Sequence, residues 1–326
     1  MLFEQNLETS SSESSRCNES FSDSKCFEAV SPPIVHSPCK VQSPKTVPVP
    51  APITSKKHYQ TVKAWAVNSH PGLRKHNEDR VMILTHLQKC LPKEKQNIGE
   101  VTYFAIFDGH GGSSCADFLR KHLHKFIIED PLFPKDPRQA IANAFLAADT
   151  AFLSQLPDCS GSCAIVMVVV NSRCYLANLG DSRAISTFQL SIDHKPSLPS
   201  EHSRIVKAGG EVYKDKNLTD RVAPGGLAMT RSFGDPRAKL SSLGGKEGVI
   251  VSEPEVTEFE AEGFVLLGSD GVFDVLSNED LVQEVLHASH GNEVSHENAG
   301  KTVNAILKKA LKKKSSDNIT ALLVFF

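Results

Sequence analysis

Apolar and polar positions follow two rhythms along most of the chain. "HYQTVKAWAVNS", "RVMILTHL" and "VTYFAIFD" alternate with period two or run apolar for a few residues, which predicts strands. "SSCADFLRKHLHKFIIED" and "DPRQAIANAFLAADTAFLSQL" repeat their apolar residues every three to four positions and predict amphipathic helices. Asp136 and Pro137 open the second of these as an N-cap and first-turn pair. "CAIVMVVV" at 163–170 has the length and β-branching of a buried strand. It opens three successive strands that turn at Asn171-Ser172 and Gly180-Asp181. "SEHSRIVKAGG" reads as a short helix stopped by glycine, and "EGFVLLGSD" as a strand running into an aspartate. "NEDLVQEVLHAS" and "ENAGKTVNAILKKALKKK" predict two more helices, and "NITALLVFF" a closing strand. Hairpin-linked strands with helices in pairs predict an α+β layered fold, a β-sandwich flanked by helices. The lysines of "LKKALKKK" read as a solvated helix end rather than a nuclear signal.

The first 55 residues break the pattern. They are rich in Ser, Pro and Lys, and a segment such as "SPPIVHSPCKVQSPKTVPVPAP" holds too little apolar surface to offset the entropy of ordering. Residues 1–55 therefore read as a disordered tail and 56–326 as one domain. Ser31, Ser37 and Ser43 each precede proline. Two readings stay open for them, chance Ser-Pro pairs in a low-complexity tail or sites whose phosphorylation would alter local charge.

Composition narrows the function classes. The 326 residues are 40% hydrophobic with a formal net charge of −2, so no overall basic field points to nucleic acid or an anionic membrane. No apolar run approaches the length of a membrane span, and "MLFEQNLETSSSESS" lacks the basic-then-apolar order of a secretory signal. Eight scattered cysteines fit reduced thiols in cytosol or nucleus better than a disulfide framework or structural zinc site.

The candidate chemistry sits where strands end. "RKHNEDR" (74–80), "FDGHGG" (107–112), "SDGVFD" (269–274) and "SSDNI" (315–319) each bring a carboxylate to a turn, and "LGDSR" (179–183) resembles them. One such turn is ordinary. Repeated, the pattern gathers acids that repel one another unless cations lie between them, and oxygen donors of this kind suit Mg²⁺ or Mn²⁺. A nucleotide loop fits poorly, since neither a Lys-Ser/Thr pair after the glycines nor a G-x-G-x-x-G is present. A nucleophile elbow is absent, and Cys115 falls on the apolar face of a helix, where a core thiol is expected.

Nine motifs now stand in one order: "RKHNED", "FAIFDGHGG", "GSCAIV", "NLGDSRAI", "DHKP", "RIVKAGGEV", "GGLAMTRSFGD", "LLGSDGVFDVLS" and "SSDNIT". Over residues 58 to 326 the chain resembles the metal-dependent Ser/Thr protein phosphatases of type 2C. The resemblance implies a four-layer α/β/β/α sandwich, two antiparallel sheets between helix pairs, which agrees with the pattern above. It also implies two Mg²⁺ or Mn²⁺ ions. Asp108 would bridge them, the Gly109 carbonyl and Glu78 would add ligands, and Asp270 and Asp317 would complete the other ion. Asp79 would orient a metal-bound water. Asp181 and Asp274 fall where some members hold a weaker third ion with Asp270. Arg74 would grip the substrate phosphate and His110 would protonate the leaving group.

The implied function is hydrolysis of phosphoserine and phosphothreonine in proteins by a water that the two ions activate, without a phospho-enzyme. The expected partners are phosphorylated proteins, not nucleic acid or membrane, and the expected state is a monomer in cytoplasm or nucleus. The alternative is a catalytically dead relative acting as a scaffold; such relatives typically lose a metal carboxylate, whereas Glu78, Asp108, Asp270 and Asp317 are all in place. One departure is Cys163, where the family usually has threonine. The Gly-rich stretch 236–251 is expected to be mobile and to shape substrate choice. His194 and Lys195 of "DHKP" are assigned a structural part.

Overall fold

The structure, a computed structural model, describes residues 62–91, 93, 98–155, 158–290 and 293–326. The tail expected over 1–55 lies outside the described residues. In chain order the elements are β1 (Ala64–His70), β2 (Arg80–Leu84), β3 (Val101–His110), α1 (Ser114–Glu129), α2 (Pro137–Leu153), β4 (Gly161–Val170), β5 (Arg173–Leu179) and β6 (Arg183–Ile185). They continue as α3 (Pro199–Lys207), β7 (Glu211–Lys214), β8 (Asp220–Ala223), β9 (Phe233–Gly234), α4 (Pro236–Lys239), β10 (Glu255–Glu260) and β11 (Phe264–Gly268). The last are α5 (Asp270–Phe273), α6 (Asn278–Ser289), α7 (His296–Lys312) and β12 (Ile319–Phe325).

Two large antiparallel sheets and a separate β7–β8 hairpin result among the described residues. One runs β10-β5-β4-β3-β2, with β9 added on β4; the other runs β1-β12-β11-β6. Strand alternation explains how they stack, because successive side chains leave opposite faces of a sheet. From β3, Tyr103, Ala105 and Phe107 enter the core beneath α1 and α2, whereas Phe104 and Ile106 enter the seam between the sheets. β4 divides likewise, with Ala164, Val166 and Val168 outward and Ile165, Met167 and Val169 inward. On the other sheet Ala321 and Leu323 meet α6 and α7, while Leu322 and Val324 close the seam. The architecture is the expected α/β/β/α sandwich.

The helices meet the sheets along single stripes. Cys115, Leu119, Leu123 and Ile127 recur every fourth position of α1 and are fully buried, so Cys115 is a core thiol as expected. Asp136 caps α2 by accepting from the Gln139 N–H at 3.1 Å, and Ser277 and Ser295 cap α6 and α7 in the same way. No helix among the described residues is long and apolar enough to cross a membrane.

One detail differs from the sequence reading and another adds to it. β3 does not end at Asp108 but stays paired with β4 through His110, and the turn begins at Gly111 and Gly112, both at positive φ. The stretch 236–251 is partly core: Ala238, Val249 and Ile250 pack with Ile205 and Val222. None of it lines the cavity described next. Leu227, Ala228 and Met229, just after the β7–β8 hairpin, take that place.

Candidate active site

A cavity of about 390 Å³ opens at one end of the seam. Eight of the residues singled out by sequence line it: Arg74 and Glu78 from the loop before β2, Asp108, Gly109 and His110 from β3, Asp181 after β5, Asp270 at the start of α5, and Asp317 before β12. Both sheets therefore contribute. They meet where the Asp270 N–H points at Asp108 Oδ2 across 3.4 Å. Gly109 owes its identity to crowding, since a Cβ there would stand 2.6 Å from the Glu78 carbonyl oxygen. Asn318 ties the Arg74–Glu78 loop down. Its Oδ1 accepts from the Glu78 N–H at 2.7 Å, and its Nδ2 donates to the carbonyls of Pro71 and His76 at 3.0 Å each.

Burial sets the electrostatics. Asp108 and Asp270 are pushed well above the ordinary carboxylate range, first by loss of water, then Asp108 by the charges of Asp270 and Asp79 and Asp270 by those of Asp181 and Asp317. Asp79, 5% exposed, is pushed up to about 6 by burial. Thr320 and Ser269 partly oppose this, donating to its Oδ2 at 2.6 and 3.0 Å. Burial lowers the pKa of His110, but the Asp235 carboxylate 2.8 Å from its Nε2, together with Asp181 and Glu78, outweighs that, and the net direction is upward. Asp274 is raised by burial and by Asp181, against Lys195.

The donor set fits hard divalent cations. Asp79 Oδ1 and Asp270 Oδ1 are buried without a hydrogen-bond partner, and the acids around them disfavour one another's charge. Among the described residues no three acidic, histidine or cysteine side chains close into a ready-made cage. The protein's own cations occupy two of the carboxylates: Arg74 Nη2 reaches Asp317 Oδ2 at 2.6 Å, and Lys195 Nζ reaches Asp181 Oδ2 at 3.0 Å. An ion such as Mg²⁺ tolerates an open site, because it keeps several waters and takes only one or two carboxylates.

Asp79 and Asp274 do not line the cavity. Asp79 lies behind it, facing a groove beside β1 and β2. Cys163 is buried and its thiol donates to Asp181 Oδ1 at 3.3 Å, doing what a hydroxyl would do there. Lys195, assigned a structural part from the sequence, holds the other oxygen of the same carboxylate. Asn318, Arg221 and Asp235 carried no role in the sequence reading. Asn318 follows Asp317 directly and was within reach of it, whereas the partner of Asp235 lies 125 positions away.

A family model described as protein phosphatase 2C matches residues 64–319. Among curated proteins the chain is similar to probable protein phosphatase 2C 54 of Oryza sativa subsp. japonica, at 31% identity over 264 residues, 78% of this chain and 70% of the relative. It is similar also to probable protein phosphatase 2C 27 of Arabidopsis thaliana, at 32% identity over 265 residues, 78% of this chain and 67% of the relative. Among solved structures, a serine-threonine phosphatase 2C from Toxoplasma gondii superposes with a TM-score of 0.68 at 22% identity, covering 82% of this chain and 96% of that one. The last likeness is one of fold.

Proposed function

The chain belongs to the protein phosphatase 2C family, and from that premise we propose that it is an active, metal-dependent phosphatase that hydrolyses phosphoserine and phosphothreonine in proteins. The observation that carries the reading is the convergence, at one end of the seam, of Glu78, Asp108, Asp270 and Asp317 with a guanidinium and an imidazole. A scaffold would need neither the two unpartnered buried carboxylate oxygens nor Arg74 and His110 beside them.

Asp108, the Gly109 carbonyl, Glu78, Asp270 and Asp317 would hold two Mg²⁺ or Mn²⁺ ions, and Asp181 and Asp274 with Asp270 a weaker third. When bound, the ions would supply the Lewis acidity that activates water near neutral pH. Arg74 would bind two phosphate oxygens; its side chain is 57% exposed, so it can leave Asp317 for a substrate. Asp79 would fix the surroundings of the metal ligands through Ser269 and Thr320, hydrogen-bonded neighbours at the end of β11 and the start of β12. His110 would deliver a proton to the departing serine or threonine oxygen.

The test is release of phosphate from a phosphothreonine peptide with Mn²⁺, with EDTA, and by Asp108→Asn and Asp270→Asn. Turnover that depends on Mn²⁺ and collapses in both variants is expected. Turnover untouched by EDTA or by the substitutions would reject the metal-dependent mechanism, and no turnover in the wild type would leave the scaffold reading.

A further inference from the structure

Asp235 ends the "TRSFGD" stretch, and its backbone is left-handed, with φ 55° and ψ 54°. For a non-glycine residue that conformation costs on the order of 1 kcal/mol and persists only where surrounding contacts enforce it. The enforcing contacts are all present. The Asp235 N–H donates to the Ser160 carbonyl at 3.1 Å, and β9, immediately before it, pairs with Gly161 and Ser162 of β4. Asp149, buried on α2, accepts from the Gly234 N–H at 2.7 Å and from Lys239 Nζ at 2.7 Å; the same Nζ donates to the Ser232 carbonyl at 2.7 Å.

The carboxylate so placed does not cap α4, although Asp235 stands at its N-cap position. It does not pair with Lys239 either, which belongs to Asp149. Its oxygens lie 3.0 and 2.8 Å from His110 Nε2, and Ser232 Oγ donates to Oδ2 at 2.6 Å. The opposing strand leaves room for this pair: a Cβ on Gly161 would overlap both Asp235 Oδ2 and His110 Nε2. A strained backbone, a dedicated serine and a glycine vacancy all serve one contact on the cavity-lining histidine.

We propose that Asp235 is a positioning residue for His110, holding the ring by Nε2 so that Nδ1 is the nitrogen that serves the leaving oxygen. The proposal rests on the phosphatase reading above. In that reaction a water oxygen bonds to phosphorus while the bond from phosphorus to the serine or threonine oxygen breaks. The bonding pair leaves with that oxygen, which takes the proton from Nδ1 of the protonated ring. The attacking water releases a proton to solvent, and the ring is reprotonated from solvent, so one water is consumed per phosphate released. A ring free to rotate would offer Nδ1 only part of the time. Fixed orientation is one component of the ~10²–10⁴-fold that a placed acid contributes.

The full chain with Mn²⁺ is assayed on a phosphothreonine peptide and on p-nitrophenyl phosphate, whose leaving group barely needs a proton. Asp235→Asn is expected to lose kcat at least ten times more on the peptide than on the nitrophenyl ester, with KM little changed. Combined with His110→Ala it should add no further loss on the peptide, because both act through one step. Ser232→Ala, which keeps the carboxylate but frees it, should show the same selectivity in milder form, and it guards against an Asp235 variant that fails to fold. In the wild type above the titration of the ring, nitrogen NMR should find the proton on Nε2. Equal losses on both substrates, additive losses in the double variant, or a proton on Nδ1 would overturn the proposal while leaving the phosphatase reading intact. A wild type that hydrolyses neither substrate would overturn both.

Discussion

Asp79→Asn tests whether the buried carboxylates are held at a cost that metal relieves. Asp79 is 5% exposed, one of its oxygens has no partner, and burial raises its pKa from 3.8 to about 6. At 1.36 kcal/mol per unit, that difference is worth ~3 kcal/mol. A raised folded-state value contributes stability that is fully present below pH 3.8 and lost as pH rises through about 6. The asparagine variant has no such titration. Any misfit of its amide with Ser269 and Thr320 is the same at every pH and cancels from the trend. In EDTA, the stability of Asp79→Asn relative to wild type should therefore rise by ~2–3 kcal/mol between about pH 4 and pH 7.5. Urea unfolding across that range, with m values held common, reads it directly. Saturating Mn²⁺ should shrink the trend, because a nearby cation favours the charged carboxylate. A difference that stays flat with pH, or falls, would refute the reasoning.

Further outcomes concern the frame around the site. Glu201, 1% exposed, receives Arg231, Arg204 and Thr230; these overcome the burial that would raise its pKa and bring it down from 4.5 to about 2. Glu201→Gln should cost ~3 kcal/mol at neutral pH, a loss that shrinks as pH falls from 4.5 toward 2, and a pH-independent loss in urea titrations would contradict it. Cys163→Ala leaves Asp181 Oδ1 without its donor and should be ~1–3 kcal/mol less stable than Cys163→Ser, which keeps one; equal melting of the two variants would argue against that bond. Gly161→Ala should abolish the His110–Asp235 contact and lower peptide turnover more than nitrophenyl phosphate turnover, and unchanged kinetics would show that the strands can absorb a methyl group there.

Much of this was legible in the chain because it is local. Tyr103, Phe104, Ala105, Ile106 and Phe107 declare a strand buried on both faces, and Asp136-Pro137 declares a helix start, with no help from distant residues. The acids at the site were legible for the same reason, since each lies within a strand or within two positions of a strand's end. What stayed hidden was pairing across long separations. Nothing near Asp235 names His110 as its partner, and nothing near Lys195 names Asp181. The 236–251 stretch shows the same limit: its glycines are plain in the sequence, but not that Val249 and Ile250 are anchored against α3 and β8. Counting glycines reveals backbone freedom but not which apolar neighbours remove it.

The alternation in β3 carries one more consequence. Phe104 and Ile106 face the seam, and Asp108 and His110 continue the same parity to the strand's end, opposite Cys163 and Gly161. The proposed catalytic end is thus the last two steps of the row that builds the seam between the sheets. Slipping β3 by one residue against β4 would turn Phe107 and Gly109 inward and send Asp108 and His110 to the helix-covered face. No misregistered chain can keep a sound interior and merely lose its chemistry, or keep its chemistry over a faulty interior. Folding fidelity and hydrolytic competence are checked by one and the same pairing.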